Sequence, residues 1–334
     1  MSEPEDYDLH DKSILVTGGT GSFGQVFVRR VLDEFSPRRL VILSRDEFKQ
    51  FQMAESLNGP NVRYVVGDVR DPSRLARVFT GIDVVVHTAA LKQVPTAEYN
   101  PIECIRTNVL GAENVINAAI DAGVERVIAL STDKATNPIN LYGATKLCSD
   151  KLFIAANGLS GESGTRFSVV RYGNVLGSRG SVIPFFEKRR GSGTLPITHP
   201  EMTRFWITMG QGVDFVLKAL AMMNRGEIFV PKQPSMRIVD LARAIAPECA
   251  HEITGIRPGE KLHEVLLPAD EALHSLEFDA FFLIAPAFHE AWGTKQPETY
   301  AGRPGRAVPA GFEYRSDENP DRLSAHELHT LIYS

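Results

Sequence analysis

Cysteine is scarce in this 334-residue chain: three residues, Cys104, Cys148 and Cys249, with no C-x-x-C pair. So sparse a set excludes a disulfide framework and a cysteine-ligated zinc site, and it suits a reducing compartment. The nine histidines show no metal-ligand spacing, so no metal is expected. Long hydrophobic runs are missing as well; none approaches the roughly 18 apolar residues that span a bilayer. The acidic start, "MSEPEDYDLHDK", has no apolar stretch of the signal-peptide kind. Nor is there a surplus of positive charge: 36 Lys and Arg face 41 Asp and Glu, for a net charge of -5. That argues against nucleic acid as a partner, because such affinity rests on excess cations meeting phosphates. No internal repeat or low-complexity tract is present. The expectation is a soluble, cytoplasmic globular protein with no membrane partner, and its 43% hydrophobic residues suffice for a sizeable core.

What is present is alternation. Short Val- and Ile-rich runs at 13–17, 40–44, 62–67, 83–89, 126–131 and 166–175 predict strands apolar on both faces. Amphipathic stretches near 21–34, 46–57, 72–79, 101–122 and 142–157 predict the helices between them. Strand–helix alternation at this spacing predicts an α/β protein with a doubly wound parallel sheet of the Rossmann kind. Residues 1–11 read as a flexible tail and 12–177 as a dinucleotide-binding domain, with helices near 210–224 and 237–246 packing back on its sheet. Residues 178–285 read as a smaller α/β substrate-binding region. The segment 286–334 reads as a C-terminal strap and helix, the strap being rich in proline and glycine without periodicity.

The stretch "LVTGGTGSFG" follows the first strand and opens the first helix, placing Gly18, Gly21 and Gly24 in a G-x-x-G-x-x-G series. Glycines at such positions allow a tight turn and let backbone amides approach a pyrophosphate at a helix N-terminus. Strand before and helix after make this a dinucleotide site. On the second strand, Ser44 and Arg45 precede Asp46, and Lys49 follows one turn on. Arg45 and Lys49 suit a 2′-phosphate, which favours NADP; the alternative leaves a solvated basic face and gives Asp46 the ribose of NAD. Asp68 and Val69, in "GDVRD", fall where the adenine would lie.

Tyr142 and Lys146 share one helical face at i, i+4. Such a lysine can lower the tyrosine pKa, so that the phenolate accepts a substrate hydroxyl proton. Ser131 or Thr132 supplies a hydroxyl partner. Adjacent to these, at the end of the fifth strand, stand Asp133 and Lys134, an acid and an amine that hydride transfer alone does not require.

Together "TGGTGSFG", "SRDEFKQ", "GDVRD", "HTAALKQVPTAEYNP", "TNVLGAENVI", "LSTDKATNPINLYGATKLCSDKLF", "VRYGNVLGSRGSVIPFF", "MTRFWIT", "GEIFVPK" and "IRPGEKLHE" resemble the C5-inverting UDP-N-acetylglucosamine 4,6-dehydratases of the pseudaminic acid pathway. These are extended short-chain dehydrogenases/reductases, and the resemblance runs from about residue 10 to about 285. It implies that Lys134 is the base that removes a C5 proton and Asp133 the acid that protonates the departing C6 hydroxyl. A base must be neutral and an acid protonated, so the site is expected to depress the lysine pKa and raise that of its neighbour. The inverting outcome is implied by the resemblance alone. C5-retaining dehydratases and UDP-sugar 4-epimerases on the same fold are the alternatives.

In that setting the remaining cofactor candidates are Thr20, Ser22, Phe23, Ala89, Lys92, Leu130, Ser131 and Val175. Lys92 and Asn174 face the sugar as substrate candidates. Arg179, Arg204 and Arg257 suit a diphosphate, which guanidinium groups pair bidentately. Thr198 and Glu260 would meet uridine and ribose. UDP-N-acetylglucosamine is thus the expected ligand, a homo-oligomer the expected assembly and flagellin the expected recipient of the finished sugar. His87 is expected to be a satisfied core histidine, and Phe185, Phe186, Phe281 and Phe282 packing residues.

Overall fold

The apolar runs pair side by side because each must bury both faces. The computed structural model describes residues 7–161, 164–178, 180–286, 299–300 and 302–333. β1 (Ser13–Thr17), buried at all five positions, leads through the glycine loop into α1 (Ser22–Glu34). β2 (Arg39–Ser44), α2 (Glu47–Ser56), β3 (Val62–Val66), α3 (Pro72–Val78) and β4 (Val84–His87) repeat the pattern. Asp46 and Asp71 fix where α2 and α3 begin, accepting hydrogen bonds from the backbone amides of Lys49 and Arg74. α4 (Val94–Tyr99) and α5 (Pro101–Ile105) each carry proline in the first turn, where its missing N–H costs nothing.

The helix expected over 101–122 is not continuous. α5 passes through a π-helical turn, Arg106–Leu110, into α6 (Gly111–Asp121). Such turns collect at functional sites. Here it turns Asn108 towards the loop after β4, where its side chain bonds both the amide and the carbonyl of Leu91.

β5 (Arg126–Thr132) ends in a 3₁₀ turn, Asp133–Ala135, before α7 (Leu141–Leu159), whose first turn is capped by Asn140. β6 (Arg166–Tyr172) and β7 (Asn174–Val175) follow. Beyond them come α8 (Val182–Arg189), β8 (Thr194–Ile197), β9 (Thr203–Ile207), α9 (Met209–Met222), β10 (Ile228–Pro231), β11 (Ser235–Arg237) and α10 (Ile238–Ile245). β12 (Ala250–Ile253), β13 (Val265–Leu267), α11 (Ala269–Ala272), β14 (Ser275–Glu277) and β15 (Phe281–Ile284) continue the chain. Short pieces β16 (Thr299–Tyr300), β17 (Arg303–Pro304), β18 (Arg306–Ala307) and β19 (Tyr314–Arg315) precede α12 (Ala325–Tyr333).

The main sheet has ten strands in the order β18-β14-β15-β10-β6-β5-β4-β1-β2-β3. From β10 to β3 every pairing is parallel; β15, β14 and β18 extend the edge antiparallel. This is the doubly wound sheet that the sequence predicts. One face is covered by α1 and α9, the other by α3, α6 and α7. Of the two later helices, α9 packs on α1, β5 and β6, while α10 does not return to the sheet. Its apolar face joins α8, β8, β9 and α12 in a separate core around Phe186 and Trp206, so the expectation of a second sheet-packed helix is corrected. Among the described residues no helix is long and apolar enough to cross a membrane.

Two glycines are forced by close approach. A Cβ on Gly24 would lie 2.4 Å from the Gly19 carbonyl oxygen, so only glycine lets α1 sit this near the loop. A Cβ on Gly143 would lie 2.1 Å from the carbonyl oxygen of Lys134, so glycine lets α7 press against the turn that ends β5. Gly143→Ala is therefore expected to destabilise the fold by about 1–3 kcal/mol, the usual cost of overpacking. Urea unfolding monitored by circular dichroism reads this, and an unchanged midpoint would contradict the contact.

Candidate active site

The carboxyl ends of β1 to β6 open onto a cleft of about 580 Å³, within the range of small-ligand pockets. It lies where the strand order reverses between β1 and β4, as doubly wound sheets require of a ligand site. Gly18, Thr20, Gly21, Ser22 and Phe23 line it from the glycine loop, and Ser44, Arg45, Asp46 and Lys49 from the end of β2. Asp68, Val69, Ala89 and Lys92 follow, and Leu130, Ser131, Thr132, Lys134, Tyr142, Lys146, Asn174 and Val175 form the other end. Gly24 stands behind the wall as a packing residue.

These residues fit a dinucleotide. A Cβ on Gly18 would lie 2.8 Å from the Ala89 backbone, and the N-cap Gly21 offers no side chain to the first amides of α1. Those amides and the helix dipole suit a pyrophosphate. At the far end, the Lys49 ammonium pairs with Asp46 at 2.6 Å, and this hydrogen bond holds the Asp46 carboxyl below its usual range. Arg45 projects half-exposed, 3.9 Å from Asp68.

At the chemical end, α7 presents Tyr142, Lys146 and Asp150 on one face, spaced four residues apart. Burial pushes the Tyr142 phenol up to about 12; the Lys134 ammonium and a hydrogen bond with Thr132 oppose this. Thr132, rather than Ser131, is thus the hydroxyl beside the tyrosine. Ser131 is spent on Asp150, donating to its carboxylate at 2.6 Å. Asp150 is almost wholly buried and its pKa is raised by burial, against the pull of Arg171 and Lys146. Arg171, equally buried, pairs in turn with Glu271 at 2.6 Å. Burial also lowers the pKa of Lys146, with Asp150 opposing. The sequence reading missed Asp150, although its spacing from Lys146 places it on the same helical face.

Asp133 and Lys134 are held together. Asp133 is fully buried; its Oδ1 accepts from Lys134 Nζ and from Thr132 Oγ1, both at 2.9 Å, while Oδ2 has no hydrogen-bond partner. Lys134 also reaches Asn174 Oδ1 at 3.5 Å. Burial disfavours the ammonium of Lys134, but Asp133 and Glu264 outweigh it and hold its pKa above the ordinary lysine value. This corrects the expectation of a depressed lysine pKa: two carboxylates converge on one amine and favour its ammonium.

The substrate candidates divide. Lys92 and Asn174 line the cleft; Thr198, Arg204, Arg257 and Glu260 do not. Arg204 is buried, its guanidinium donating to the backbone carbonyls of Thr203, Leu262 and Lys261, which makes it a framework arginine rather than a free phosphate clamp. Arg257 is largely exposed and pairs with Glu260, while the carbonyl of nearby Gly259 accepts from Asn140 at the start of α7. Thr198 lies just past β8. Arg179 lies outside the described residues. Thr107, on the π-turn, lines the cleft with a buried hydroxyl that has no partner, a position the sequence reading overlooked. His87 is buried against Thr17 at 2.8 Å, and burial first and Lys146 second push its pKa down to about 3, which keeps the ring neutral. Among the described residues no group of three His, Cys, Asp or Glu is placed to hold a metal ion.

Comparison with known proteins places this geometry. The UDP-N-acetylglucosamine 4,6-dehydratase (inverting) of Campylobacter jejuni subsp. jejuni serotype O:2 is 52% identical, over 97% of this chain and 98% of that one. The X-ray structure of Pen from Bacillus thuringiensis is similar with a TM-score of 0.88 and 37% identity, covering 97% of this chain and 98% of that one. DesIV, the dTDP-glucose 4,6-dehydratase of Streptomyces venezuelae, solved with NAD and TYD bound, has a TM-score of 0.68 and 26% identity over 75% of this chain and 86% of its own. The model of the family described as polysaccharide biosynthesis protein matches residues 14–286. The chain belongs to that family, and within it to the extended short-chain dehydrogenases/reductases that include the inverting UDP-N-acetylglucosamine 4,6-dehydratases.

Proposed function

We propose that the protein dehydrates UDP-N-acetylglucosamine with inversion at C5, using tightly held NADP, to give UDP-2-acetamido-2,6-dideoxy-β-L-arabino-hex-4-ulose. The observation that carries this reading is the Asp133–Lys134 pair at the end of β5, in which Lys134 lines the cleft with Tyr142 and Asp133 stands buried behind it. A dehydrogenase has no use for it, and a dehydratase needs both groups. The product has the chemistry required at the start of pseudaminic acid synthesis.

A dinucleotide held by the glycine loop at Gly18 and Gly21 and by the end of β2 would supply a hydride acceptor for C4 and the same hydride for C6, so the reaction would have no net redox change. The protein's own residues handle the protons. Tyr142, beside Thr132, takes the proton of the C4 hydroxyl as its phenolate, the form that the Lys134 ammonium and Thr132 favour against burial. The resulting ketone acidifies C5–H. One proton transfer across the 2.9 Å contact from Lys134 to Asp133 turns the ion pair into a neutral amine and a carboxylic acid. Nζ of Lys134 then accepts the C5 proton as the C6–O bond breaks, and Asp133 supplies the proton with which the hydroxyl leaves as water. The pair returns to its ionic form. A proton from solvent, balanced by release of the one that Tyr142 took from the C4 hydroxyl, then reaches C5 from the face away from Lys134 and inverts the centre.

Incubation with UDP-N-acetylglucosamine tests the reading: mass spectrometry is expected to show loss of one water, and NMR a C6 methyl group with L-configured C5. An intact CH2OH would point instead to a 4-epimerase, and a retained C5 to a retaining dehydratase. Lys134→Ala is expected to lower turnover at least a hundredfold, the lower range of general-base contributions. It should still permit transient reduction of the cofactor, visible as absorbance near that of NADPH. Normal C5 exchange in that variant would remove Lys134 from the role of base.

For the cofactor, denatured enzyme is expected to release NADP; release of NAD alone would overturn the choice. Arg45→Ala and Lys49→Ala should each weaken NADP about tenfold or more, as loss of a charge-assisted hydrogen bond implies, while NAD binding, followed by fluorescence, changes little.

A further inference from the structure

Behind the base lies a carboxylate that the reaction as described does not use. Glu264 is 2% exposed, and its Oε1 sits 3.7 Å from Lys134 Nζ and 3.6 Å from Arg204 Nε. Its Oε2 lies 3.9 Å from Lys261 Nζ and has no hydrogen-bond partner. The backbone holds it in place: its amide donates to Ser316 Oγ and its carbonyl accepts from the Ser316 amide, each at 2.9 Å. A buried carboxylate with a vacant oxygen is costly. Three cations, Lys134, Arg204 and Lys261, surround it within 4 Å and offset that cost.

We propose that Glu264 is a positioning residue for the base, its fixed carboxylate deciding at what pH the Lys134 amine gives up its proton. This rests on the reading of Lys134 as base and deepens it. The charged or titratable groups that face Lys134 are Asp133 on its own turn, Glu264 and Lys261 from the loop before β13, Arg204 from β9, Lys92 after β4 and Tyr142 on α7. Two acids therefore meet three close cations, Lys134, Lys261 and Arg204. As Lys134 accepts the C5 proton its positive charge appears 3.7 Å from Glu264, which stabilises that charge as it forms. Lys261 acts in the opposite sense, since it opposes a second cation in the same space.

Burial drives the pKa of Glu264 itself upward, with Asp133 adding to this and the three cations opposing it. The signs for Lys134 follow. Removing the carboxylate disfavours the ammonium and lowers the lysine pKa; removing the Lys261 cation raises it. An opposite charge at such range moves a pKa by about 1–3 units.

The test uses the full-length enzyme with bound cofactor. Rates of C5 hydrogen exchange in deuterated water are measured against pH for wild type, Glu264→Gln and Lys261→Met. The limb that reports loss of the Lys134 proton is expected to move at least about one unit acidward in Glu264→Gln and alkaline in Lys261→Met. An unmoved limb in folded Glu264→Gln, or shifts of one sign in both variants, would overturn the proposal. If Glu264→Gln does not fold, an unmoved or acid-shifted limb in Lys261→Met overturns it alone. A second readout needs no turnover: NMR titration of the Lys134 side chain, its signal identified by its loss in Lys134→Ala. A shifted titration with an unmoved rate limb would overturn the proposal by removing Lys134 from the role of base, with the Glu264–Lys134 coupling itself intact. An unshifted titration would refute the coupling itself.

Discussion

The contact on which the site depends is the 2.9 Å hydrogen bond between the Lys134 ammonium and the Asp133 carboxylate. In the proposed reaction, one proton transfer across it would give the neutral amine and acid with which the elimination of water begins. Asp133 has no exposed surface and its Oδ2 no hydrogen-bond partner, so the carboxylate is held through the one oxygen that Lys134 and Thr132 share. The remaining structure serves to keep this pair at the end of β5. β4 and β6 clamp β5 on both sides in parallel register, and Gly143 lets α7 rest directly on the Lys134 carbonyl.

The same helix then sets a second alignment. Tyr142 faces Thr132 and the Lys134 ammonium, while Lys146 stands one turn further on above buried Asp150. In the open cleft the cation with most influence on the tyrosine is Lys134, not Lys146. In the proposed reaction, oxidation at C4 and elimination across C5 and C6 would therefore be electrically linked. The ammonium that favours ionisation of Tyr142 would have to lose its proton before acting as base, and its own neighbour would take that proton.

Much of this was legible in the residues themselves. The Val- and Ile-rich runs place β1 to β5 within a residue or two, because a strand buried on both faces leaves an unbroken apolar signature; the sixth run, 166–175, continues three residues past the end of β6 into β7. The glycine series and the Tyr142–Lys146 spacing were equally readable, since both are local patterns. What sequence could not supply was long-range. Lys134 is held above the ordinary lysine value by Asp133 beside it and also by Glu264, 130 positions away in the chain, and the second of these no local pattern announces. Arg204 resembles a phosphate ligand until the loop at 261–262 folds over it. The π-turn within the helix expected over 101–122 is set by the bonds of Asn108 to Leu91, which helical periodicity does not announce.

Past β6 the chain uses short strands and irregular loops to build a second core around Trp206, and apolar patterning fades there because each piece buries only a few residues. That region delivers Glu264, Lys261 and Arg204 to the back of the base. The sheet supplies position and the appended region supplies charge. Following UDP-N-acetylglucosamine deuterated at C5 through one turnover in ordinary water tests this account most directly. The account predicts a product that has lost the C5 deuterium to solvent along with one water, carrying the L configuration. Product that keeps its C5 deuterium, or substrate recovered with only C4 changed, would contradict it.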